Sequence, residues 1–506
     1  MLITLDTALH KPLYAQIRDQ IRERILSGAL PIGERLEPSR ELAKCLGVHR
    51  TTVSNAYADL EAEGLIEGTV GRGTFVSTYA AEVRASVPVR RRATSDFYWD
   101  SLFAPDQEDD SLGRLMASAL EPGVTSLAAT HASAELSPVD LVRRATEAVL
   151  RREGARLLEY GSSDGYPPLK QYLQARLRRD GIAIEPDELM ITNGCQQSLD
   201  LVRRILVGPG DTVACENPTY PGLWHAFDLP GARLVGIPVG PEGMDLDSLE
   251  AVLEQNKLKL ILANPNFQNP TGRLMPLAAR KRLLELATRF QVPVAEDDIY
   301  GSLRYSGREE PPLKALDTSG IVIYLNSFSK IGFPGFRVGW IAASRRVIER
   351  LRMAKQRADL HTNMLGQAVL EEFCRRGWLD KLLRKTRKTY ARKLGVLRQA
   401  VAETFPPEVR VGYPAGGMAV WIELPEEMDA DELLVKARDR RVIFAPARFF
   451  YFQNPQHNAF RLCFTTVPDE QLDKAVRVLG ELLRSEIRHL KAGRRPAIVE
   501  SGVALV

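Results

Sequence analysis

Closely spaced cysteines are missing from this sequence. Five cysteines are spread over 506 residues, and no two of them form a CxxC motif. A small disulfide-stabilised scaffold and a structural zinc site both need such pairs, so the sequence argues against either and predicts no metal site. Scattered, unpaired cysteines are typical of a reducing compartment, which favours the cytoplasm.

Long hydrophobic runs are missing as well. No apolar stretch approaches the length needed to cross a bilayer. The first residues, MLITLDTALHKPLYAQ, lack the basic segment and apolar core of a secretory signal. The sequence therefore predicts no membrane partner.

The chain has little excess of either charge. It contains 68 Lys and Arg against 64 Asp and Glu, a formal charge of +4. Residues 1–77 contain nine basic and ten acidic side chains. Net charge therefore does not indicate a nucleic-acid partner, and any DNA contact has to depend on where the charges lie. The 44% apolar content is ordinary for a globular protein, and the length fits two or three domains.

Residues 12–77 show the pattern of three helices closed by a hairpin. Apolar residues recur at helical spacing over residues 14–25, and a second helix is predicted to begin at Ser39, with Ser39 as its N-cap. Gly47 makes the turn to a third helix over residues 52–60. Two short apolar runs around a glycine-rich tip, within residues 65–76, then predict a β-hairpin.

The rest of the chain predicts a linker, two lobes and a tail. Residues 78–110 lack periodicity, which predicts a linker in which Arg90–Arg92 is a solvated charge run. From residue 111 to about 380, apolar runs alternate with helical stretches, which predicts a mostly parallel α/β sheet. Residues 381–487 predict a smaller α+β lobe, and residues 488–506 a tail. Strands are predicted at 189–192, 212–216, 233–238, 258–263, 292–296, 321–326, 338–342, 409–413, 418–424 and 460–464.

One segment suggests a reactive lysine. SFSKIGFPGFRVGW, residues 327–340, follows a predicted strand and places Lys330 between Ser327 and Arg337. A lysine kept neutral by its surroundings forms a Schiff base with an aldehyde, and the flanking serine and arginine suit a phosphate. On its own the segment is equally compatible with a surface lysine in a strand–helix loop.

Four other segments supply matching chemistry. The turn ITNGCQQS joins a strand to a helix whose first N–H groups suit a phosphate. Asn269, in NPNFQNPTG, is suited to donate to a ring oxygen, and Asp297, in EDDIY, to keep a pyridine nitrogen protonated. Arg461 is suited to bind a carboxylate in bidentate fashion. Taken singly, each segment also fits an ordinary turn, a solvated acid or a structural arginine.

In order and spacing these segments resemble fold-type I pyridoxal 5'-phosphate (PLP) enzymes, the aspartate aminotransferase superfamily. The resemblance spans roughly residues 110–485 and implies that Lys330 forms the internal aldimine with PLP. It further implies that Asp297 pairs with the pyridine nitrogen, that Arg461 binds a substrate or effector carboxylate, and that the protein is a homodimer. The remaining implied cofactor contacts are Asn269 and Tyr300 at the 3'-oxygen, Tyr220 stacked on the ring, Gly194, Cys195, Gln196, Ser327 and Arg337 around the phosphate, and Tyr160 at the partner's phosphate.

The first 77 residues resemble a different family. PSRELA, residues 38–43, followed by LGVHRTTV, residues 46–53, is similar to the winged helix-turn-helix of GntR regulators. Residues 35–54 contain four basic and two acidic side chains, so positive charge gathers there. The predicted contacts with a double-stranded DNA operator are Arg40, Arg50, Thr51, Thr52, Ser54 and, at the wing tip, Arg72. The alternative is a helical protein–protein module.

The order of head, linker and aminotransferase-like body resembles the MocR subfamily of bacterial regulators. The resemblance implies a PLP-dependent transcription regulator that senses an amino acid, an amine or a B6 vitamer through aldimine exchange at Lys330. Members that sense γ-aminobutyrate have an arginine two residues after the stacking tyrosine, whereas this chain has Gly222.

Two other functions remain compatible with the sequence. Because the catalytic set is complete, the chain also fits a class I/II aminotransferase with turnover that carries a DNA-binding-like head. A purely structural scaffold would require Lys330 to bind no cofactor.

Overall fold

The computed structural model describes residues 3–6, 11–69, 73–78, 111–119 and 121–492. The chain divides between Gln107 and Glu108 into two compact units. The described parts of these units, residues 3–78 and residues 111–492, are called the head and the body below.

The head consists of three helices and a hairpin. Helices α1 (Leu13–Ser27), α2 (Ser39–Leu46) and α3 (Arg50–Ala62) precede the antiparallel pair β1 (Ile66–Thr69) and β2 (Gly73–Val76). Buried apolar side chains from all three helices meet in one core with the hairpin. The order of elements is that of a winged helix-turn-helix, as the sequence predicted.

The helix-turn-helix turn differs in detail from the sequence prediction. The residue that precedes α2 in the capping position is Pro38, and no side chain caps this helix, so the N-cap prediction for Ser39 is wrong. Pro38 itself has an extended backbone, with φ −55° and ψ 137°, so Ser39 is the first helical residue. Gly47 ends α2 with φ 63°. The next helix, α3, is capped by His49, whose Nδ1 accepts from the Thr51 N–H at 3.4 Å.

A twisted sheet of eight strands forms the centre of the body. Its order is β4-β11-β10-β9-β8-β5-β6-β7, with β5, β6, β8, β9 and β10 paired in parallel and β11 antiparallel to both neighbours. The strands of the body are β3 (Thr125–Ser126), β4 (Leu189–Thr192), β5 (Thr212–Asn217), β6 (Arg233–Gly240), β7 (Gly243–Met244), β8 (Leu258–Ala263), β9 (Val294–Asp297), β10 (Val322–Ser327), β11 (Gly339–Ala342), β12 (Arg410–Gly412), β13 (Ala419–Glu423), β14 (Val442–Ile443), β15 (Ala445–Pro446) and β16 (Ala459–Cys463).

Helices cover the sheet and its connections. The α-helices of the body are α4 (Ser111–Ser118), α5 (Val139–Glu153), α6 (Pro167–Arg179), α7 (Cys195–Leu206), α8 (Pro221–His225), α9 (Leu246–Gln255), α10 (Leu277–Arg289), α11 (Leu313–Leu316), α12 (Arg345–Asp359), α13 (Met364–Arg375), α14 (Trp378–Thr404), α15 (Ala430–Asp439) and α16 (Asp469–Lys491). Short 3₁₀ turns lie at Ala134–Leu136, Gly154–Leu158, Pro186–Glu188, Gly301–Leu303, Pro334–Phe336 and Ala447–Phe450.

The small lobe contains a second sheet. Strands β12, β13, β16 and β15 lie side by side, and β14 pairs in parallel with β3, which comes from the start of the body. The long helix α14 leads into this lobe and α16 closes it, running past residue 488, where the sequence analysis placed the start of the tail. Among the described residues no helix combines the length and apolar character needed to span a membrane.

Parallel pairing decides where polar side chains collect. Five parallel strands of the large sheet end at one edge, and the loops that leave this edge contain the polar motifs of the sequence. Strands β4, β8 and β10 are buried along nearly their whole length, as a sheet covered on both faces requires. The fold therefore places a polar pocket beside an apolar core.

Candidate functional site

A cavity of about 110 Å³ lies at the carboxyl edge of the large sheet. It is lined by Cys195, Gln196, Leu199, Thr219, Tyr220, Leu223, Asn264, Asn269, Asp297, Ile299, Tyr300, Ser329, Lys330 and Arg337. The predicted site residues Cys195, Gln196, Tyr220, Asn269, Asp297, Tyr300, Lys330 and Arg337 therefore come together. Gly194, Ser327 and Arg461 lie beside this lining, and Tyr160 lies apart from it.

Lys330 projects from the loop that follows β10. Its Nζ donates to the Thr130 carbonyl at 2.6 Å and lies 3.4 Å from the Thr130 Oγ1. Burial lowers the pKa of Lys330, because an ammonium group loses solvation in this pocket. A lower pKa increases the fraction of neutral amine, which is the form that attacks an aldehyde.

Asp297 ends β9 and also lines the cavity. Its Oδ1 accepts from the Ile299 N–H at 3.2 Å and from the Cys195 thiol at 3.6 Å. Burial raises the pKa of Asp297 to about 6, while the Ile299 N–H opposes the rise, so the carboxylate is still mainly ionised at neutral pH. A buried carboxylate in this state stabilises a protonated ring nitrogen next to it.

An anion cradle lies at the start of α7. Gly194 precedes this helix with φ 87°, and the first N–H groups of a helix have no carbonyl partner within it. Arg337 lies alongside, with its Nη2 donating to the Asn193 carbonyl at 3.2 Å. A Cβ on Gly194 would lie 2.8 Å from that Nη2, so a larger residue would push the guanidinium away from the start of the helix. Helix dipole and cation together favour a phosphate.

The serines near Lys330 differ in exposure. Ser327 is fully buried, and its Oγ accepts from the Ser329 N–H at 3.2 Å. Ser329, which the sequence analysis did not select, lines the cavity. In this structure the Ser327 hydroxyl therefore stabilises the loop that contains Lys330. Its predicted contact with a phosphate stays a prediction.

Asn269, Tyr300 and Arg461 form a connected group. The Asn269 Nδ2 lies 3.5 Å from the Tyr300 hydroxyl, and the Arg461 Nη1 donates to the Asn269 Oδ1 at 2.6 Å. Burial raises the pKa of Tyr300 to about 12, so its hydroxyl stays protonated. Arg461 reaches this group from β16 of the small lobe and is 5% exposed, and its Nε has no hydrogen-bond partner among the described residues.

Two of the predicted cofactor contacts, Tyr220 and Tyr160, are exposed aromatic residues. Tyr220 lies over the cavity with 41% of its surface exposed, next to Gln196, whose Nε2 donates to the Gly222 carbonyl at 2.7 Å. Tyr160 is 86% exposed, and its ring makes an edge contact with His361. Within the described residues Tyr160 therefore does not reach the cavity of its own chain.

A buried polar network, absent from the sequence prediction, holds the floor of the cavity. Asn264 donates through Nδ2 to the Asp297 carbonyl, accepts through Oδ1 from the Asn269 N–H at 2.9 Å, and donates through its own N–H to Glu216 at 3.1 Å. Burial raises the pKa of Glu216 to about 8, so this carboxyl is mainly protonated at neutral pH. Asn264 thus joins the ends of three neighbouring strands.

The predicted DNA-binding residues of the head lie on two helices. Arg40 is on the first turn of α2, and Arg50, Thr51, Thr52 and Ser54 follow one another on the first turns of α3. Arg40, Arg50 and Thr51 are exposed, and Thr52 and Ser54 are half-buried. Arg72 lies outside the described residues. The Thr51 Oγ1 is 2.8 Å from the His49 Nδ1, so one predicted contact is already engaged within the turn.

Comparison with known proteins matches each unit to a family. Residues 13–76 match the bacterial regulatory proteins of the gntR family, and residues 130–479 match aminotransferase class I and II. The probable rhizopine catabolism regulatory protein MocR of Rhizobium meliloti is 30% identical over 463 residues, which cover 90% of this chain and 91% of the relative. This chain belongs to the MocR subfamily of GntR regulators.

The body of this MocR-type chain is also similar to free-standing enzymes. Aromatic-amino-acid aminotransferase 1 of Thermococcus litoralis is 39% identical over 371 residues, 72% of this chain and 89% of the relative. The crystal structure of LysN, an α-aminoadipate aminotransferase of Thermus thermophilus complexed with N-(5'-phosphopyridoxyl)-L-leucine, superposes with a TM-score of 0.72. It is 35% identical and covers 77% of this chain and 99% of the enzyme. The body therefore has the fold-type I architecture.

PLP is the cofactor of this family, and the residues around the cavity suit it. Asp297 offers a carboxylate for the ring nitrogen, Lys330 an amine for the aldehyde, and the cradle of Gly194 and Arg337 a cationic site for the phosphate. When bound, PLP supplies an aldehyde that condenses with primary amines and a ring that withdraws electrons. These three groups lie around one cavity, as a single cofactor requires.

The sequence analysis did not predict Thr130, Asn264 or Glu216, because no local motif indicates their roles. Thr130 contacts Lys330 from 200 positions away, and nothing in its local sequence indicates this. Asn264 and Glu216 have no direct part in the predicted chemistry, although both end strands of the parallel sheet. A search for polar side chains at the ends of parallel strands would have found these two.

Gly194→Ala tests the anion cradle. The added Cβ would meet the Arg337 guanidinium, so we expect PLP to bind about tenfold more weakly or worse, as measured by titrating apo-protein with PLP. Gly210→Ala is a matched control, because Gly210 also has φ 87° but no atom within 4 Å of its Cβ position. Equal PLP affinity in the two variants, both folded by circular dichroism, would contradict the assignment.

Glu216→Gln tests the raised pKa. An acid whose pKa is raised from 4.5 to about 8 stabilises the fold fully at low pH and loses this contribution as the pH rises through that window. We therefore expect the free energy of unfolding of the wild type to fall more steeply between those pH values than that of the variant. The exposed Glu254→Gln is the control. Parallel curves for wild type and Glu216→Gln in urea unfolding would refute the prediction.

Proposed function

We propose that this protein is a transcription regulator that binds an operator through its head and senses an amino acid, an amine or a B6 vitamer in its body. The main support for this proposal is that one chain joins a helix-turn-helix head to a body whose cavity is lined by the residue types that bind PLP. The similarity to MocR extends over both units, which supports a regulator in preference to an enzyme with an accidental fusion.

Sensing is proposed to occur by exchange of amines at the cofactor's aldehyde. With PLP bound, Lys330 would hold its aldehyde, and a primary amine of the ligand would exchange with the lysine amine. The lowered pKa of Lys330 supports this proposal, because a less basic lysine departs more readily and stays in the neutral form that can return to the aldehyde. We propose that Arg461, whose buried Nε has no hydrogen-bond partner among the described residues, binds a carboxylate of the ligand.

A ligand changes DNA binding only if it favours one of two states of the protein. We propose that the ligand-bound body favours one arrangement of a homodimer, and that the exposed Tyr160 reaches the cofactor phosphate of the partner protomer. Operator binding requires access to DNA, so we place the protein in the cytoplasm.

We further propose that the ligand has no second carboxylate that binds near Tyr220. Gly222 stands where relatives that sense γ-aminobutyrate have arginine. A Cβ at Gly222 would lie 2.5 Å from the Gln196 Oε1 and 2.6 Å from the Tyr220 ring, so no side chain fits there without moving Tyr220. A ligand with a single carboxylate, or none, suits this pocket better.

A second candidate function is transamination with turnover. It is favoured by the presence of Lys330, Asp297, Asn269, Tyr300, Arg337 and Arg461 together, and by the 39% identity to an enzyme named as an aromatic-amino-acid aminotransferase. In this case the head would only localise the enzyme or support its dimerisation.

Arg50→Ala tests operator binding. Genomic fragments retained by the full-length protein would first be identified by sequencing, and affinity for one of them then measured by fluorescence anisotropy. We expect Arg50→Ala to weaken binding about tenfold or more, because a cation at the start of α3 is lost from the predicted interface. Arg22→Ala on α1, where Arg22 pairs with Glu63, is the control and leaves affinity unchanged. Unchanged affinity in both variants would argue against the assigned surface.

Absorbance spectroscopy separates sensor from enzyme. The holo-protein is mixed with a panel of L-amino acids, simple amines and pyridoxamine, and its cofactor spectrum is followed together with 2-oxo acid formation. For a sensor we expect an amine adduct that persists and an operator affinity that changes with it, both abolished in Lys330→Ala. Rapid conversion to the pyridoxamine form with catalytic 2-oxo acid production would instead establish the enzyme. If the affinity for the operator does not change with PLP, with any compound of the panel or in Lys330→Ala, the sensor proposal is overturned.

A further inference from the structure

Residues 124–131, called the strap here, lie at the start of the body along the small lobe. The Leu127 N–H donates to the Ile443 carbonyl at 2.7 Å, and the Cys463 N–H donates to the Leu127 carbonyl at 2.7 Å. Upstream of these bonds, β3 pairs with β14. The strap is thus held between two segments of the small lobe, mainly by backbone hydrogen bonds.

The strap also contacts both cations of the site. The Lys330 Nζ donates to the Thr130 carbonyl at 2.6 Å, and the Arg461 Nη2 donates to the Ala128 carbonyl. Lys330 belongs to the large lobe and Arg461 to the small lobe, so two carbonyls of the strap, two residues apart, join side chains of both lobes at the proposed ligand position. Nothing in the proposed chemistry assigns a role to these contacts.

The Ala128 carbonyl lies where a ligand carboxylate would bind. Nε and Nη2 share one edge of a guanidinium, which is the edge a carboxylate grips with two parallel hydrogen bonds. In Arg461 the Nε has no partner among the described residues, and the Nη2 is engaged by Ala128. The Nη1 is taken by the Asn269 Oδ1 at 2.6 Å. A bidentate carboxylate therefore competes with one neutral carbonyl.

We propose that the ligand's carboxylate replaces the Ala128 carbonyl on Arg461 and that the displaced strap carries the signal towards the linker. The inference rests on the proposed function, in which a ligand amine binds beside Lys330, and it narrows the ligand to amino acids. Charge-assisted hydrogen bonds are stronger than neutral ones, so the exchange favours the carboxylate. Ala128 is fully buried, and its carbonyl has to move to find a new donor.

Ala128 lies between two anchored parts of the strap. On its C-terminal side the His131 carbonyl accepts from the Thr465 Oγ1 at 3.1 Å and the Thr130 carbonyl accepts from Lys330. On its N-terminal side the β3–β14 pairing and the two Leu127 backbone bonds hold residues 125–127. We expect displacement of Ala128 to weaken the adjacent Leu127 bonds, and in this proposal the loosened segment, which leads in sequence through α4 to the predicted linker at 78–110, carries the signal towards the head. A simple amine frees Lys330 without touching Arg461 and leaves the strap in place.

Two stable probes that differ only in the carboxylate test this inference. Full-length apo-protein is loaded with N-(5'-phosphopyridoxyl)-L-leucine or with N-(5'-phosphopyridoxyl)-3-methylbutylamine, and binding of each is measured by absorbance. Hydrogen–deuterium exchange is then measured by mass spectrometry on peptides that cover residues 121–133 and Cys463. We expect these amides to exchange at least about threefold faster with the leucine probe than with the amine probe.

The possible outcomes separate this inference from the function on which it rests. If both probes bind and the strap amides exchange at the same rate with each, the strap mechanism is overturned and the sensor proposal is unaffected. Failure of both probes to bind overturns the sensor and with it the strap. Arg461→Gln should abolish the difference between the probes, whereas Arg410→Gln, a change at an exposed arginine of the same lobe, should preserve it. A difference that survives in Arg461→Gln would also refute the assignment.

Discussion

The site depends on the parallel pairing of β9 with β10. In this register Asp297 lies opposite Leu325, so the strand that ends in the acid and the strand that leads to Lys330 finish at the same edge of the sheet. A carboxylate at a strand end and an amine in the neighbouring loop then line one cavity. Asn264, after the next parallel strand, also lines this cavity and donates to the Asp297 carbonyl. Antiparallel pairing of β9 and β10 would have sent their ends to opposite edges.

Burial at this edge tunes both groups in directions that suit PLP. It lowers the pKa of Lys330 and raises that of Asp297, because each loses solvation of its charged form. The two effects differ in consequence. The lysine becomes a better nucleophile, whereas the acid stays mainly ionised at neutral pH because the Ile299 N–H supports its charge. The neighbouring Glu216 also accepts from two donors, the Asn264 N–H and the Gln268 Nε2, but besides its burial it faces the charge of Asp297 and is mainly protonated instead. One buried environment therefore produces three different protonation behaviours, because the hydrogen bonds and the neighbouring charges differ at each group.

The sequence predicted the residues of the cofactor site more accurately than the helix caps of the head. Lys330, Asp297 and Asn269 stand in short motifs at strand ends, and the structure brings these three around one cavity. Strand positions were predicted to within two residues for most of the large sheet, because fully buried strands are uninterrupted apolar runs. In the head, Ser39 was expected to cap α2, but Pro38 occupies the capping position and no side chain caps this helix. The following helix, α3, has a cap that was not predicted, the His49 ring nitrogen in place of the usual hydroxyl or carboxylate.

The sequence by itself determined the two families, the order of head and body, and the residue types that suit PLP, because each depends on short motifs whose chemistry is local. Tertiary structure decided which groups meet. Thr130 and Ala128 contact Lys330 and Arg461 across 200 and 333 positions, through backbone carbonyls that any residue would offer. Backbone atoms leave no signature in the side-chain pattern, so no motif marks the strap. Its contacts exist only because β3 joins the small lobe and places those carbonyls between the two cations of the site.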